Sequence, residues 1–84
     1  MTIIQELKLV QKILHLSDVD MCNFMCITMQ RFRKIMRGKI KPNTFNLIMF
    51  IASTRRSLYS LTPEINYNEY QRALHFLLLA GKKS

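Results

Sequence analysis

The chain has 84 residues, of which 49% are hydrophobic, and a net charge of +8 from thirteen Lys and Arg against five Asp and Glu. This length permits a single domain over residues 1–84 with a modest core, and it leaves little room for a deep catalytic pocket. The basic excess favours a polyanionic partner, and two cysteines exclude a multi-disulfide framework.

The sequence shows no nucleophile–base pair, paired carboxylates, phosphate-binding glycine loop or metal-ligand cluster. We therefore expect no enzyme activity, no cofactor and no metal. Cys22 and Cys26 lie in an apolar stretch, which favours two buried thiols in a reducing cytosol. No apolar run reaches the ~18 residues of a membrane span, and the N-terminus carries charges within its apolar pattern and lacks a signal-peptide cleavage site. The expected location is cytoplasmic, without membrane association.

Two glycines, two prolines and little β-branched alternation predict an all-α fold. The first helix is predicted over about residues 2–15. Its inward stripe consists of Ile3, Leu7, Val10 and Leu14. The second helix is predicted to begin at the N-cap Ser17 and to run to about Met25, with Asp18 and Asp20 near its positive end. Its inward residues are Met21, Phe24 and Met25.

Thr28 is predicted to cap a third helix that runs from Met29 to about Arg37 and stops at Gly38. Phe32, Ile35 and Met36 are predicted to face inward. The residues left outside are Gln30, Arg31, Arg33, Lys34 and Arg37. Only residues 26–28 separate the second and third helices, and a turn this short is typical of a helix-turn-helix unit, here over about 17–37.

After a basic loop over 38–42, Asn43 is predicted to cap a fourth helix over about 44–53. Its predicted inward stripe consists of Phe45, Ile48, Met49 and Ala52. Residues 55–61 are interpreted as an irregular connection.

A last helix is predicted over about 63–80, with competing start signals at Thr62-Pro63 and at Asn66 and an end at Gly81. It is apolar almost all round, so one stripe can dock on the domain while the rest offers a protein contact. The predicted dimer interface consists of Tyr70, Ala73, Phe76, Leu77, Leu79 and Ala80.

Residues 16–52 resemble the helix-turn-helix domain of the lambda-repressor/Cro class. The positions that match the family pattern are Ser17, Cys22, Met25, Ile27, Thr28, Phe32, Ile35, Gly38, Lys39, Pro42 and Leu47. Cys26 replaces the usual glycine of the turn, which predicts a strained φ there. Met36 and Gln11 replace a frequent Glu–Arg pair. The resemblance implies a five-helix domain that binds double-stranded DNA and that dimerises through its C-terminal helix.

An α-helix fits the DNA major groove, and the second helix of such a unit reads base edges with its N-terminal residues. The predicted base-reading residues are Met29, Gln30, Arg31 and Lys34. The predicted phosphate-binding residues are Ser17, Thr28, Arg33, Arg37, Lys39 and Lys41.

The expected function is therefore a transcriptional repressor of phage, plasmid or mobile-element type, in a bacterial or phage-infected cell. It would bind a pseudo-palindromic operator as a homodimer. An alternative is an antitoxin-like or inhibitory module that neutralises a partner protein through the C-terminal helix and autoregulates through the same helix-turn-helix. RNA binding is disfavoured because the sequence lacks an aromatic stacking surface.

Overall fold

The structure is a computed structural model that describes residues 2–57 and 67–83. These residues form five α-helices and no strand, which confirms the all-α class. The helices are α1 Ile3–Ile13, α2 Asp18–Met25, α3 Met29–Met36, α4 Thr44–Ser57 and α5 Tyr67–Lys83. Helix α5 packs against α1 and α4, α4 packs against α2, and α2 packs against α3.

The first four helices each begin at a side chain that accepts a backbone hydrogen bond, as the sequence predicts for the last three of them. The capping residues are Thr2, Ser17, Thr28 and Asn43. At α2 the Ser17 Oγ accepts from the Asp20 N–H and the Asp20 carboxylate accepts from the Ser17 N–H, both at 3.1 Å. Such caps satisfy N–H groups that the first turn of a helix leaves without partners.

Helices α1, α2 and α3 end in the same way, with one residue in the left-handed region. These residues are His15, Cys26 and Gly38, with φ of 54°, 58° and 76°. In each case the following N–H donates to the carbonyl five residues earlier, at 2.9, 3.1 and 2.9 Å. This is the Schellman arrangement, which glycine adopts with the least strain. The predicted stop at Gly38 and the predicted strained φ of Cys26 are confirmed.

The core draws on all five helices and buries most of the residues predicted to face inward on the first three, while Ile3, Phe24 and Met36 are half-buried against it. Leu7 and Val10 of α1 are buried, as are Leu14 directly after it and Met21 and Met25 of α2. The other buried apolar residues are Cys22, Phe32, Ile35, Leu47, Phe50, Ile51, Tyr70, Ala73, Leu74 and Leu77.

Helix α4 buries a different face from the one predicted from the sequence, and it is longer than predicted. Phe45 and Ile48, predicted to face inward, are 59% and 50% exposed. The buried residues are Asn46, Leu47, Phe50, Ile51 and Thr54. Both faces of α4 are apolar at helical spacing, so periodicity could not choose between them. A hydrogen bond of 2.9 Å from the Asn46 Nδ2 to the Met25 carbonyl fixes the rotation. The helix continues to Ser57, past the predicted end at 53, and the rest of the predicted connection lies outside the described residues.

Helix α5 corrects the predicted dimer interface. Tyr70, Ala73 and Leu77 are fully buried in the core of the chain itself, because they form the stripe that packs on α1 and α4. Phe76 and Ala80 are half-buried and Leu79 is exposed, so these three remain available to a partner. The helix also continues through Gly81 to Lys83, beyond the predicted end. The start signals at 62–63 and 66 lie outside the described residues.

Candidate nucleic-acid interface

Helix α3 separates one buried apolar face from one exposed basic face. Phe32 and Ile35 are 3% and 0% exposed, and they hold the helix against the core. The exposed residues are Gln30, Arg31, Arg33, Lys34 and Arg37. At about 100° per residue, Gln30, Lys34 and Arg37 follow the outermost line of the helix. Arg31 and Arg33 then lie on its two flanks.

On the Arg31 flank, a shallow groove brings the beginnings of α3 and α4 together. Its volume is about 650 Å³. It is lined by Cys22, Asn23, Cys26, Ile27, Thr28, Arg31, Asn43 and Asn46. The Thr28 Oγ1 accepts from the Arg31 N–H at 3.2 Å, and the Asn43 Oδ1 accepts from the Asn46 N–H at 2.8 Å. Helix N-termini favour anions, so the groove joins two such ends to one guanidinium. The three asparagines of this lining are not among the site residues predicted from the sequence.

On the Arg33 flank, a second shallow groove lies between α1, α2 and α3. It is lined by Lys8, Gln11, Asp18, Phe32, Arg33, Met36 and Arg37. The Gln11 Nε2 donates to the Asp18 Oδ1 at 2.8 Å, which ties α1 to the beginning of α2. Of the two residues that replace the family's frequent Glu–Arg pair, Gln11 has this partner on α2 and Met36 is half-buried. Lys8 adds a cation that is not among the site residues predicted from the sequence.

Two of the predicted contact residues have other roles in the structure. Met29 is half-buried, and its Sδ accepts from the Cys22 Sγ at 3.9 Å, so it packs against α2. The Oγ and N–H of Ser17 are engaged with Asp20 in the α2 cap. Because that carboxylate and Asp18 surround the end of α2, it is a poor phosphate site. The other predicted phosphate contacts are exposed: Thr28, Arg33, Arg37, Lys39 and Lys41.

The two thiols differ, contrary to the expectation that both are buried. Cys22 is buried, and burial raises the pKa of its thiol. Asp18 raises this pKa further, and Arg33 acts against the rise. Cys26 is exposed at the turn between α2 and α3. No group of three or more His, Cys, Asp or Glu that could hold a metal ion occurs in the part of the chain that the structure describes.

The charged side chains in and around α3 are all positive. No Asp or Glu occurs in the sequence from residue 21 to residue 63, and this stretch carries eight of the thirteen cations. Within residues 2–57 and 67–83, no helix has the length and apolar character needed to cross a membrane.

Comparison of the chain with models of protein families, with curated proteins and with solved structures gives no match.

Proposed function

We propose that α2 and α3 form a helix-turn-helix and that the protein is a sequence-specific regulator that binds double-stranded DNA, acting as a repressor. The observation that carries this proposal is the outward face of α3. Its exposed line combines an amide with two cations and has no carboxylate, while Phe32 and Ile35 fix the helix from behind. A solvated surface helix usually alternates charges of both signs, and this one does not.

The N-terminal half of α3 suits the reading of base edges. The DNA major groove is wide enough for an α-helix and presents a distinct donor and acceptor pattern for each base pair. The Gln30 amide matches the N6 and N7 of adenine, and the side chains of Arg31 and Lys34 match the O6 and N7 of guanine. Three base-reading side chains restrict one copy of the chain to a few base pairs.

The cations on the flanks and in the following loop suit phosphates. Arg33 lies on one flank of α3 and Arg37 at the end of its outermost line, and both border the same groove, while Lys39 and Lys41 lie in the loop that leads to α4. Each phosphate that they neutralise releases counterions, so log K should fall with log salt by about 0.9 per contact. The Lys8 side chain extends this surface onto α1.

A homodimer supplies the second half-site that useful specificity requires. Its proposed interface is the face of α5 that the core leaves uncovered, at Phe76, Leu79 and Ala80. These residues line a groove of about 680 Å³. The other residues of its lining are Thr2, Ile3, Ile4, Gly38, Ile40, Lys41, Pro42 and Leu47. Among the described residues that line this groove, Lys41 is the one charged side chain, so two copies of a strongly basic chain can meet here with little repulsion.

Selection of bound duplexes from a random pool tests the proposal. We expect enrichment of an inverted repeat whose half-sites are centred one helical turn, about 10–10.5 base pairs, or a multiple of it apart. Arg31→Ala should change the enriched bases at one position in each half-site. Lys12→Ala, which removes an exposed cation on α1, is the matched control and should enrich the wild-type sequence. A pool without sequence enrichment would refute a sequence-specific regulator.

A further inference from the structure

Helix α4 carries an apolar face that the described residues 2–57 and 67–83 leave uncovered. Phe45 and Ile48 are 59% and 50% exposed, and Met49 and Ala52 are half-buried beside them. We call these four residues the α4 stripe. Their spacing of three, four and seven residues places them on one side of the helix. The polar residues Asn46 and Thr54 are buried on the opposite side of the same helix.

Two cations lie at the C-terminal end of the α4 stripe. Arg55 is seven residues beyond Ile48 and Arg56 is four residues beyond Ala52, so both belong to the same side of the helix. Both side chains are exposed. The surface is therefore apolar over two turns and positive at one end.

We propose that the α4 stripe binds an amphipathic helix of a different protein, with apolar anchors that face the stripe and carboxylates at the end that meets Arg55 and Arg56. Helix recognition of this kind uses anchors at intervals of three, four and seven residues, which is the spacing of the α4 stripe. The carboxylates supply the countercharge that the two arginines lack on their own helix, and they fix the direction of the bound helix.

A second copy of the chain fits this surface poorly. No acidic residue occurs between 21 and 63, so an α4 stripe facing its own copy brings two further arginines and no carboxylate from this stretch. The nearly uncharged groove beside α5 suits a second copy better. A bilayer is also a poorer fit, because four side chains over two turns form a much shorter apolar face than interfacial helices use. The two interfaces lie on different helices, so one molecule can use both.

This proposal does not depend on DNA binding, and a synthetic peptide tests it. The probe is a 16-residue helical peptide with leucines at intervals of three, four and seven residues and glutamates at one end. A scrambled peptide of the same composition is its control. In titrations of the full chain followed by amide NMR, the probe should shift residues 45–56 and the scrambled peptide should not.

Matched variants of the chain complete the test. Ile48→Ser should weaken the affinity for the probe by at least about tenfold, as expected for an anchor residue at the centre of an interface. Arg55→Gln with Arg56→Gln should weaken it and remove its salt dependence. Val19→Ser, a similar change of an exposed apolar residue on α2, should leave the affinity unchanged, and circular dichroism will show that each variant is folded.

Three results would overturn the proposal. The first is equal binding of the probe and the scrambled peptide, or equal binding of the probe to the wild type and to Ile48→Ser. The second is a dimer in sedimentation equilibrium that Ile48→Ser dissociates, since the α4 stripe would then belong to a second copy. The third is co-sedimentation with vesicles of phosphatidylglycerol that Ile48→Ser abolishes, since the stripe would then meet lipid.

Discussion

The Arg72 guanidinium on α5 clamps the Glu6 carboxylate on α1, with Nη1 to Oε1 at 3.1 Å and Nη2 to Oε2 at 3.5 Å. The Glu6 side chain is 1% exposed and that of Arg72 is 44% exposed. The two residues are 66 positions apart in sequence, and their pair joins α1 to α5 and therefore helps to hold α5 in place. A bidentate pair of this kind combines charge with fixed geometry.

Removal of the arginine should be more harmful than removal of the whole pair. Arg72→Met leaves a buried carboxylate without its partner, and we expect a loss of about 1–3 kcal/mol in the free energy of unfolding. The loss should be smaller than for a fully buried pair, because solvent reaches Arg72. Adding Glu6→Leu should recover most of it. Urea titrations of the three proteins measure this, and an unchanged midpoint for Arg72→Met would show that the pair contributes nothing.

The strained turn between α2 and α3 should relax when it receives a glycine. Cys26→Gly removes the side chain that resists a φ of 58°, and we expect a gain of about 0.5–1 kcal/mol in stability. Cys26→Ala keeps the strain and should give no gain. His15→Gly, at a φ of 54° at the end of α1, should behave like Cys26→Gly. Thermal unfolding compares the three variants, and a Cys26→Gly protein that melts no higher than Cys26→Ala would argue against strain.

The two thiols should react at different rates. The Cys26 thiol is exposed, whereas burial shields the Cys22 thiol and raises its pKa, so a smaller fraction of it is thiolate at a given pH. Iodoacetamide should alkylate Cys26 first, as peptide mass spectrometry can show. Cys26→Ser should retain only the slow reaction and Cys22→Ser only the fast one. Equal rates in the wild type would mean that α2 opens readily.

The raised pKa of Cys22 also predicts a direction for stability at alkaline pH. The unfolded chain releases the thiol proton near the ordinary value of 9.0, before the folded chain does. The stability that this proton confers is complete below that pH and declines as the pH rises toward the folded value. The difference in unfolding free energy between the wild type and Cys22→Ala should therefore shrink above pH 9. A constant difference would contradict the raised pKa.

Much of the helical framework follows from local chemistry that the sequence displays. Ser17, Thr28 and Asn43 cap helices because each offers an acceptor at the right place, and Gly38 ends α3 because it tolerates a positive φ. The rotation of α4 could not be predicted in this way, since both its faces are apolar and the choice depends on the long-range bond from Asn46 to the Met25 carbonyl. The same limit applies to α5, where tertiary packing decides which apolar residues are buried.

In the candidate site too, the features set by helix spacing could be predicted from the sequence, and those set by tertiary contacts could not. The exposure of Gln30, Arg31 and Lys34 follows from the spacing of Phe32 and Ile35, so the sequence was sufficient. Met29 makes a sulfur contact with Cys22 that its position on the helix does not reveal. Lys8 was missed because its approach to α3 arises only when α1 packs beside it.

Substitutions on α3 and in the loop should affect DNA binding in two distinct ways. Lys39→Ala should weaken binding to all duplexes about equally and reduce the salt slope by about one. Gln30→Ala should reduce discrimination at particular base pairs by about 1–3 kcal/mol and leave the slope unchanged. Fluorescence anisotropy with cognate and mismatched duplexes at several salt concentrations separates the two. A Gln30→Ala protein that weakens all duplexes equally would remove Gln30 from the base-reading set.

Dimethyl sulfate protection on the selected duplex tests most directly whether the exposed face of α3 enters the major groove. The reagent methylates the guanine N7 in the major groove and the adenine N3 in the minor groove. We predict protected guanines in each half-site, and loss of protection at one guanine per half-site with Arg31→Ala or Lys34→Ala. Protection confined to adenine N3, or a guanine pattern that neither substitution alters, would contradict the account.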